Sequence, residues 1–485
     1  MTAHTEKANT GILLTKRRAP TSAGVTLDPA PLARDNRVAA SANASPLNRL
    51  AFAGLWLFTC LLFGRPNEIL PINIAEFPFV KIVGVLTLLA YLASKLGSGE
   101  GITIFPIEMK MLAVIVMLAL ILTPVAVAPQ RSVNMLTDTF FKVITIFVLM
   151  INLINTRWRL YSIMKLVVFC GALIAITTIK GVVEGKLDIS RVAGPAPTAG
   201  GLYANLNDLA IALDLLLPLA LILAMKSKGL ARAAYAGCAF LFGVAVVLTF
   251  SRGGFLGLVA LGGVVLWKAG RGRRALSVLA AVLLLGVFLT AMPSGYSDRL
   301  FTILNTQEDT TNSAQQRQAI LMRGLAVAAA HPVIGVGLGN FPEYSHHQAV
   351  AHNSYIEIAC ELGGLGLIAY LIFAFAPTRS LSRIESEIFA GRGGHAWTAG
   401  GREMYFLSIG LQATMVACLV CSFFASIQYF WFPYYAVAYA VSLNRIYAIE
   451  QASSAQTNLA VRQSEGPAAS TGNLWKLRRP RTDPR

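Results

Sequence analysis

Long apolar runs separated by short polar segments dominate the chain. Each run holds roughly 16 to 25 residues, and about 20 residues in a helix cross the hydrocarbon core of a bilayer. An open strand would leave backbone groups unpaired in lipid, so each run is predicted to be a helix. The pattern therefore predicts an all-α polytopic membrane protein with about twelve transmembrane helices. The predicted spans are 49–64, 80–96, 111–128, 140–155, 160–179, 207–225, 233–250, 254–268, 275–292, 352–376, 404–426 and 431–448.

Composition excludes most other protein classes. Apolar residues make up 55% of the 485-residue chain and charged residues only 13%, whereas an ordinary soluble domain is about a quarter charged. Collagen-like, disordered and small disulfide-rich classes do not fit these values. The six cysteines lie within or at the edge of apolar runs. Cys418 and Cys421 form a CxxC without a second pair, so small buried apolar residues are a better interpretation than a redox or metal site.

The basic charge is explained by membrane topology. The net charge of +17 would suit nucleic acid in a soluble protein, but no nucleic-acid partner is predicted because cytoplasmic loops of membrane proteins are rich in Lys and Arg. With the N-terminus inside, the basic loops fall on the cytoplasmic side together with the C-terminus. These loops are 155–160, 226–232, 268–274 and 377–403. The basic tails are able to contact anionic lipids.

The polar ends and two long outer loops define the domain organisation. Residues 1–47 are predicted to be a disordered cytoplasmic tail, 48–450 the membrane domain and 451–485 a disordered basic tail. One long outer loop covers about 180–206. The other, about 293–351, is a large outer loop between the ninth and tenth spans, and a loop of that size is usually functional.

The larger loop contains a predicted amphipathic helix that stops before Pro332. Helical spacing places Ile320, Leu321, Leu325 and Ala328 on one face. Such a helix could lie on the membrane surface or cap a cavity.

Arginines on the outer side are candidate ligands for phosphate. Arg252 lies between two spans with almost no loop, Arg191 lies in the first outer loop, and Arg317 and Arg323 lie in the second. The guanidinium fork matches phosphate oxygens. A snorkelling Arg252 and a scattered set of solvated arginines are the alternatives.

His352 is the candidate base, because it opens the tenth span at the outer interface. A histidine with a pKa near neutrality can take a proton from a hydroxyl, although a lone interfacial histidine is more often a polar anchor. Glu357 and Glu361 follow it, and an acid inside a span needs a partner. His346 and His347 are more solvated alternatives. The GVGLGNF segment lacks the features of a nucleotide-binding loop, and no ligand spacing demands a metal.

The motifs together resemble the O-antigen ligase and polymerase superfamily of bacterial envelope proteins. They are Arg191-Val-Ala-Gly, Ser251-Arg252-Gly253, HPVIGVGLGNF at 331–341 and HNSYIEIACELGGLG at 352–366. The resemblance covers about 185–375 well. One departure is LYANLNDLA at 202–210, where Leu206 replaces a proline that the family often carries.

The resemblance implies a glycosyltransferase of the bacterial inner membrane that moves a glycan from undecaprenyl pyrophosphate to an acceptor. Its active site is expected to face the periplasm, which would make the loop at about 293–351 a periplasmic loop. The acceptor is lipid A–core for a ligase and a second lipid-linked glycan for a polymerase, and both remain open. His352 is expected to activate the acceptor, and Arg191, Arg252 and Arg317 are expected to bind the pyrophosphate. Asn353, Glu361 and Asn207 are the expected supporting residues. No metal or cofactor is expected, and the other expected partners are membrane lipids and polysaccharide assembly proteins.

Two other functional classes compete with the transferase. A polysaccharide flippase or exporter would also have about twelve spans, but transporters usually carry internal repeats and none is evident. A non-catalytic membrane subunit of a polysaccharide assembly system is the third class.

Overall fold

The computed structural model describes residues 45–64, 79–98, 101–184, 205–269, 313–345, 348–391 and 399–464. Over these residues the chain is helical and contains no β-strand. Nine of the described helices are long and apolar enough to cross a membrane. The predicted all-α polytopic class is therefore confirmed. The total of twelve stays a prediction. The span expected at 275–292 lies outside the described residues, and the described helices at the spans expected at 254–268 and 431–448 are not among the nine.

The described helices follow the apolar runs of the sequence. They are α1 (Pro46–Gly64), α2 (Phe79–Ser98), α3 (Ile107–Leu122), α4 (Pro129–Asn134), α5 (Phe141–Leu153), α6 (Arg157–Val183), α7 (Leu206–Lys226), α8 (Gly229–Leu248), α9 (Arg252–Ala269), α10 (Ser313–Ala330), α11 (Phe341–Tyr344), α12 (Ser354–Gly391), α13 (Ala399–Cys421) and α14 (Trp431–Ser464). A 3₁₀ turn at Thr123–Val125 follows α3, and a π-helical segment at Met135–Phe140 joins α4 to α5.

Helix α7 forms the centre of the bundle. It is the most deeply buried of the candidate spans, since 83% of its most apolar 18-residue stretch is buried inside the bundle. It packs against α6, α8, α9 and α13. Glycines permit close packing on two sides, because a Cβ at Gly171 would overlap with Leu216 and one at Gly410 would overlap with Ile222. Small residues at helix contacts are the usual means of bringing membrane helices together.

Ion pairs join several helices at one end of the bundle, which we call the basic end. Arg157 at the start of α6 donates two hydrogen bonds of 2.6 Å to the carboxylate of Glu450 on α14. Glu403 on α13 accepts a 2.7 Å hydrogen bond from Lys226 at the end of α7. These contacts place the start of α6, the end of α7 and the start of α13 at the same end. The opposite end, where α9 and α12 begin, is called the site end.

Two helices are longer than predicted. The tenth predicted span was expected to end near 376, but α12 continues through Pro377 to Gly391. This extension stays helical because Leu381 and Ile384 bury their side chains in the bundle. Helix α14 likewise continues to Ser464, so the first part of the tail predicted from residue 451 is helical. The tail predicted over 1–47 lies almost wholly outside the described residues.

Candidate functional site

A break in α12 receives the returning outer loop. The helix is interrupted at Gly363, which has φ 71° and ψ −171°, so neighbouring backbone groups lose their helical partners. The loop replaces them, since Val336 N donates to Cys360 O at 2.9 Å and Gly364 N donates to Pro332 O at 3.0 Å. Buried backbone groups need such partners. The motif at 331–341 and the motif at 352–366 are therefore hydrogen-bonded to each other.

Glycines make this pairing sterically feasible. A Cβ at Gly335 would overlap with the main chain of Cys360 and Glu361, and a Cβ at Gly363 would overlap with the main chain of Val333. Both positions therefore require a residue without a side chain. The glycine-rich segment therefore serves close backbone packing.

The same loop is anchored to the turn after α3. Asn340 is fully buried; its Oδ1 accepts from Ala128 N at 2.8 Å and its Nδ2 donates to Ser132 Oγ at 2.7 Å. Arg131 forms an ion pair with Glu343 beside this contact. The loop therefore has fixed positions on two sides of the site end.

Helix α10 covers the first turns of α12. The predicted helix is confirmed at Ser313–Ala330, ending before Pro332 as expected. Its buried face differs from the prediction, because Ile320 and Val327 are buried whereas Leu325 is 49% exposed. The buried face of α10 is shifted because Gly324 lies against Ile356 of α12. A Cβ at residue 324 would overlap with the Ile356 side chain.

His352 lies immediately before α12 with a constrained backbone. Its φ is 53°, in the left-handed region that few residues with side chains adopt. Asn353 caps the helix, since its Oδ1 accepts from Tyr355 N at 3.0 Å and from Ile356 N at 3.1 Å. The expected supporting residue Asn353 thus has a structural role as the N-cap.

Two buried polar residues of α12 hold the backbone around His352. Glu357 Oε2 accepts from Ala351 N at 3.0 Å and also from the hydroxyl of Ser426. Ser354 is fully buried; its Oγ donates to Ala425 O at 2.7 Å and accepts from Ile427 N at 2.9 Å. Residues 422–427, which follow α13, are therefore the support on which the start of α12 rests.

Arg317 on α10 lies close enough to His352 to affect its protonation. His352 precedes the membrane-spanning part of α12, and its side chain is largely buried. Burial lowers the pKa of His352 from its ordinary 6.5 to about 4, with a further contribution from the positive charge of Arg317. Both causes disfavour the imidazolium form. The structure thus brings two of the predicted site residues together.

Arg252 is the first residue of α9 and is half-buried. Ser251 caps this helix, with its Oγ accepting from Gly254 N at 3.2 Å. A Cβ at Gly253 would overlap with Phe424, and a Cβ at Gly254 would overlap with Ala210 on α7. The SRGG motif therefore lets α9 begin in close contact with both α7 and residues 422–427.

Residues 422–427 connect the arginine and the histidine. Phe424 packs against Gly253, next to Arg252, and Ser422 O accepts from Ser354 N at 2.8 Å, two residues after His352. Both candidate residues therefore begin a helix beside the same short segment at the site end. This common neighbour was not predicted, because residues 422–427 carry no charge and fall at the end of the apolar span predicted at 404–426.

The remaining predicted residues have different positions. Arg191, His346 and His347 lie outside the described residues. Asn207 is half-buried in the first turn of α7, where Asn205 is the cap. Glu361 is fully buried below the site, and its Oε1 accepts from Phe341 N at 3.3 Å. Its observed contact is therefore with the returning loop.

The cysteines contribute packing. Cys418 and Cys421 are buried and free, and Cys421 Sγ donates to Asp214 of α7 at 3.7 Å. Within the described ranges, no group of three or more His, Cys, Asp or Glu side chains could hold a metal ion.

Three positioning residues were not predicted from the sequence. Ser354 and Ser426 were not singled out, and Glu357 was noted only for its spacing from His352. Their signal was the presence of polar residues within apolar motifs, which is costly unless each one has a partner.

Comparison with known families identifies the central part of the chain. A comparison with curated proteins found no significant match. Residues 237–371 match the family model Wzy_C, described as O-antigen ligase. The match includes Arg252, Arg317, His352 and the paired loop motifs, whereas Arg191 and Asn207 precede it. The resemblance predicted from the motifs is therefore confirmed over residues 237–371, which are similar to the O-antigen ligase family.

Proposed function

We propose that the protein is a membrane glycosyltransferase that moves a glycan from undecaprenyl pyrophosphate to an acceptor hydroxyl at the periplasmic membrane interface. The acceptor is lipid A–core or a second lipid-linked glycan. The main support is the proximity of Arg317 to a largely buried, strained His352 within the O-antigen ligase domain. Arg252 supports the proposal because it begins α9 beside the segment that holds α12.

In the proposed reaction, the acceptor oxygen forms a bond to the anomeric carbon of the glycan while the bond from that carbon to the phosphate oxygen breaks. The departing pyrophosphate keeps the electron pair, and Arg191, Arg252 and Arg317 stabilise its growing negative charge. His352 takes the proton of the acceptor hydroxyl. A single displacement inverts the anomeric carbon. No ATP is required, because the donor is already activated, and the arginines supply the charge stabilisation without a metal.

The protonation state of His352 suits the role of a base. With a pKa lowered to about 4, the imidazole is neutral at neutral pH and has a lone pair available. A bound pyrophosphate would offset the charge of Arg317, so the pKa of His352 should rise when the donor binds. The histidine would then become a stronger base in the complex that needs it.

The test is glycan transfer by purified protein in lipid with undecaprenyl-pyrophosphate glycan, EDTA, and either lipid A–core or no added acceptor. His352→Ala and Arg252→Ala should each lower the transfer rate by about a hundredfold or more. Arg232→Ala is the matched control, since Arg232 is an exposed arginine near the basic end and should transfer at the normal rate.

The products distinguish the forms of the proposal. Glycan on lipid A–core indicates a ligase, and a longer lipid-linked glycan without added acceptor indicates a polymerase. Normal rates for folded His352→Ala and Arg252→Ala would contradict the roles of these residues. Failure of the folded wild-type protein to transfer either product would contradict the transferase and favour a flippase, an exporter or a non-catalytic subunit.

A further inference from the structure

A groove runs between α1 and α6 at the basic end, on the far side of the bundle from His352. It consists of two adjoining cavities of about 610 and 500 Å³ that share Trp56, Trp158 and Ser162. On each helix the lining residues recur every three or four positions and so form one face. The groove is large enough for a small-molecule ligand or a lipid headgroup.

The lining of the groove is basic and aromatic. Its cations are Arg49, Arg159, Lys165 and Lys226, and no carboxylate is present among the described residues that line it. Lys226 is paired with Glu403, and Arg159 donates to Asn48; Arg159 is also buried. Arg49 and Lys165 belong to the more open parts of the lining.

Lys165 has an unusual position for a lysine. It lies eight residues after Arg157, about 12 Å along α6, and is exposed on the outer surface of the bundle. Among the described residues, no carboxylate pairs with it. A charge on the lipid-facing side of a span is unfavourable unless it reaches the interface or finds a partner. Helical side chains tilt towards the helix N-terminus, so Lys165 leans towards the basic end and the groove.

The aromatic residues mark the groove as an interfacial site. Trp158 is 70% exposed and Trp56 is 38% exposed, and tryptophans with such exposure on a membrane helix typically lie at the level of the lipid headgroups. Phe169, 62% exposed, continues the lining towards the middle of the membrane. The groove therefore has a cationic, aromatic entrance and an apolar inner part.

We propose that this groove binds one molecule of an anionic phospholipid, with its phosphate between Arg49 and Lys165 and its acyl chains along Trp56 and Phe169. Charge complementarity favours this occupant, since every charged residue described in the lining is basic and the groove opens to the surface of the bundle. Basic pockets between membrane helices are suited to anionic headgroups. The site is separate from the proposed transfer reaction, because its residues lie at the opposite end of the bundle from His352.

The test is native mass spectrometry of the full-length, delipidated protein in detergent. The probes are phosphatidylglycerol, phosphatidylcholine with the same acyl chains, and inorganic phosphate. Wild-type protein should retain phosphatidylglycerol in preference to phosphatidylcholine. The variant Arg49→Gln/Lys165→Gln should bind phosphatidylglycerol about tenfold more weakly or worse.

The matched control is Lys110→Gln/Arg232→Gln. It removes the same charge from two exposed residues near the basic end that line neither cavity, and its affinity for phosphatidylglycerol should be that of wild type. Thermal unfolding of both variants should match wild type, since the altered side chains are at the surface.

Three results would overturn the proposal. They are equal retention of the two lipids by wild-type protein, unchanged affinity in the groove variant, and displacement of the lipid by an equal concentration of inorganic phosphate, which would indicate a simple anion site. None of these outcomes depends on glycan transfer, so this proposal and the proposed function can fail independently.

Discussion

The backbone of His352 is held in the left-handed region by the residues on both sides of it. Ala351 N donates to Glu357, and Asn353 caps α12. A non-glycine residue in this region costs roughly 1 to 2 kcal/mol, and such strain persists only where the surroundings determine it. The hydrogen bonds of the residues next to His352 hold its backbone in this conformation. At the residue scale, the backbone that carries the imidazole is therefore held by contacts of the neighbouring residues.

The charge of Arg317 gives a testable pH dependence. Arg317→Gln removes a positive charge that disfavours the imidazolium, so the pKa of His352 should rise from about 4 towards 6.5. A base must be deprotonated to act, so the acid limb of kcat/KM should move to higher pH, while burial keeps it below that of an ordinary histidine. The measurement is the pH profile of glycan transfer. Arg323→Gln is the control, because Arg323 donates to Tyr344 O, and its acid limb should match that of wild type. An unshifted acid limb in Arg317→Gln would refute the coupling between Arg317 and His352.

At the scale of elements, the break in α12 and the returning loop form one structural unit. Each supplies backbone groups that the other lacks, as in the pairs Val336–Cys360 and Gly364–Pro332. Neither part can be altered without leaving buried backbone groups unpaired. The unit also orients α10, because Cys360 Sγ donates to Gly324 O at 3.1 Å.

Gly363→Ala should disrupt this unit. The new Cβ would overlap with the main chain of Val333, and φ of 71° disfavours alanine. We expect a loss of about 2 kcal/mol or more in the free energy of unfolding, measured by thermal unfolding in detergent. Gly237→Ala is the control: Gly237 lies within α8 with no atom near its would-be Cβ, and alanine there should be neutral or stabilising by up to about 1 kcal/mol. Equal melting of Gly363→Ala and wild type would disprove the steric argument.

The helices could be predicted from sequence, but their contacts could not. Apolar runs of about the length of a bilayer crossing predicted the described spans, because lipid forces the backbone into helices. The face of α10 was predicted with Leu325 buried, since spacing alone does not reveal that Gly324 allows closer packing on the adjacent face. The proximity of Arg317 to His352 depends on the same tertiary packing. The extension of α12 beyond residue 376 was missed because its polar residues resemble a loop.

At the scale of the whole molecule, the two ends of the bundle carry different kinds of residues and contacts. The site end holds strained residues and the motifs within the segment that matches the O-antigen ligase family model. The basic end holds ion pairs that join distant helices. In one of them, Lys268 Nζ donates to Glu385 at 2.6 Å and to Gln412 at 2.5 Å, which links α9, α12 and α13.

Removing one partner of this buried group should destabilise the bundle. Glu385 is only 1% exposed, so Lys268→Met leaves its carboxylate without the compensating charge and should cost about 3 kcal/mol. Lys268→Met/Glu385→Leu should recover most of that loss, because no unpaired charge remains. Thermal unfolding of the single and double variants provides the comparison. A double variant as unstable as the single one would show that the charge is not the cause.

The support of α12 by residues 422–427 has a consequence for biosynthesis. The chain is made from its N-terminus, and Arg252, Arg317 and His352 all precede this segment. Because residues 422–427 bond to Ser354 and pack against Gly253, the arginines and the histidine cannot take their final positions until α13 has been inserted and the turn after it has emerged. A nascent chain that ended at residue 400 would therefore contain all of the proposed catalytic groups without an assembled site.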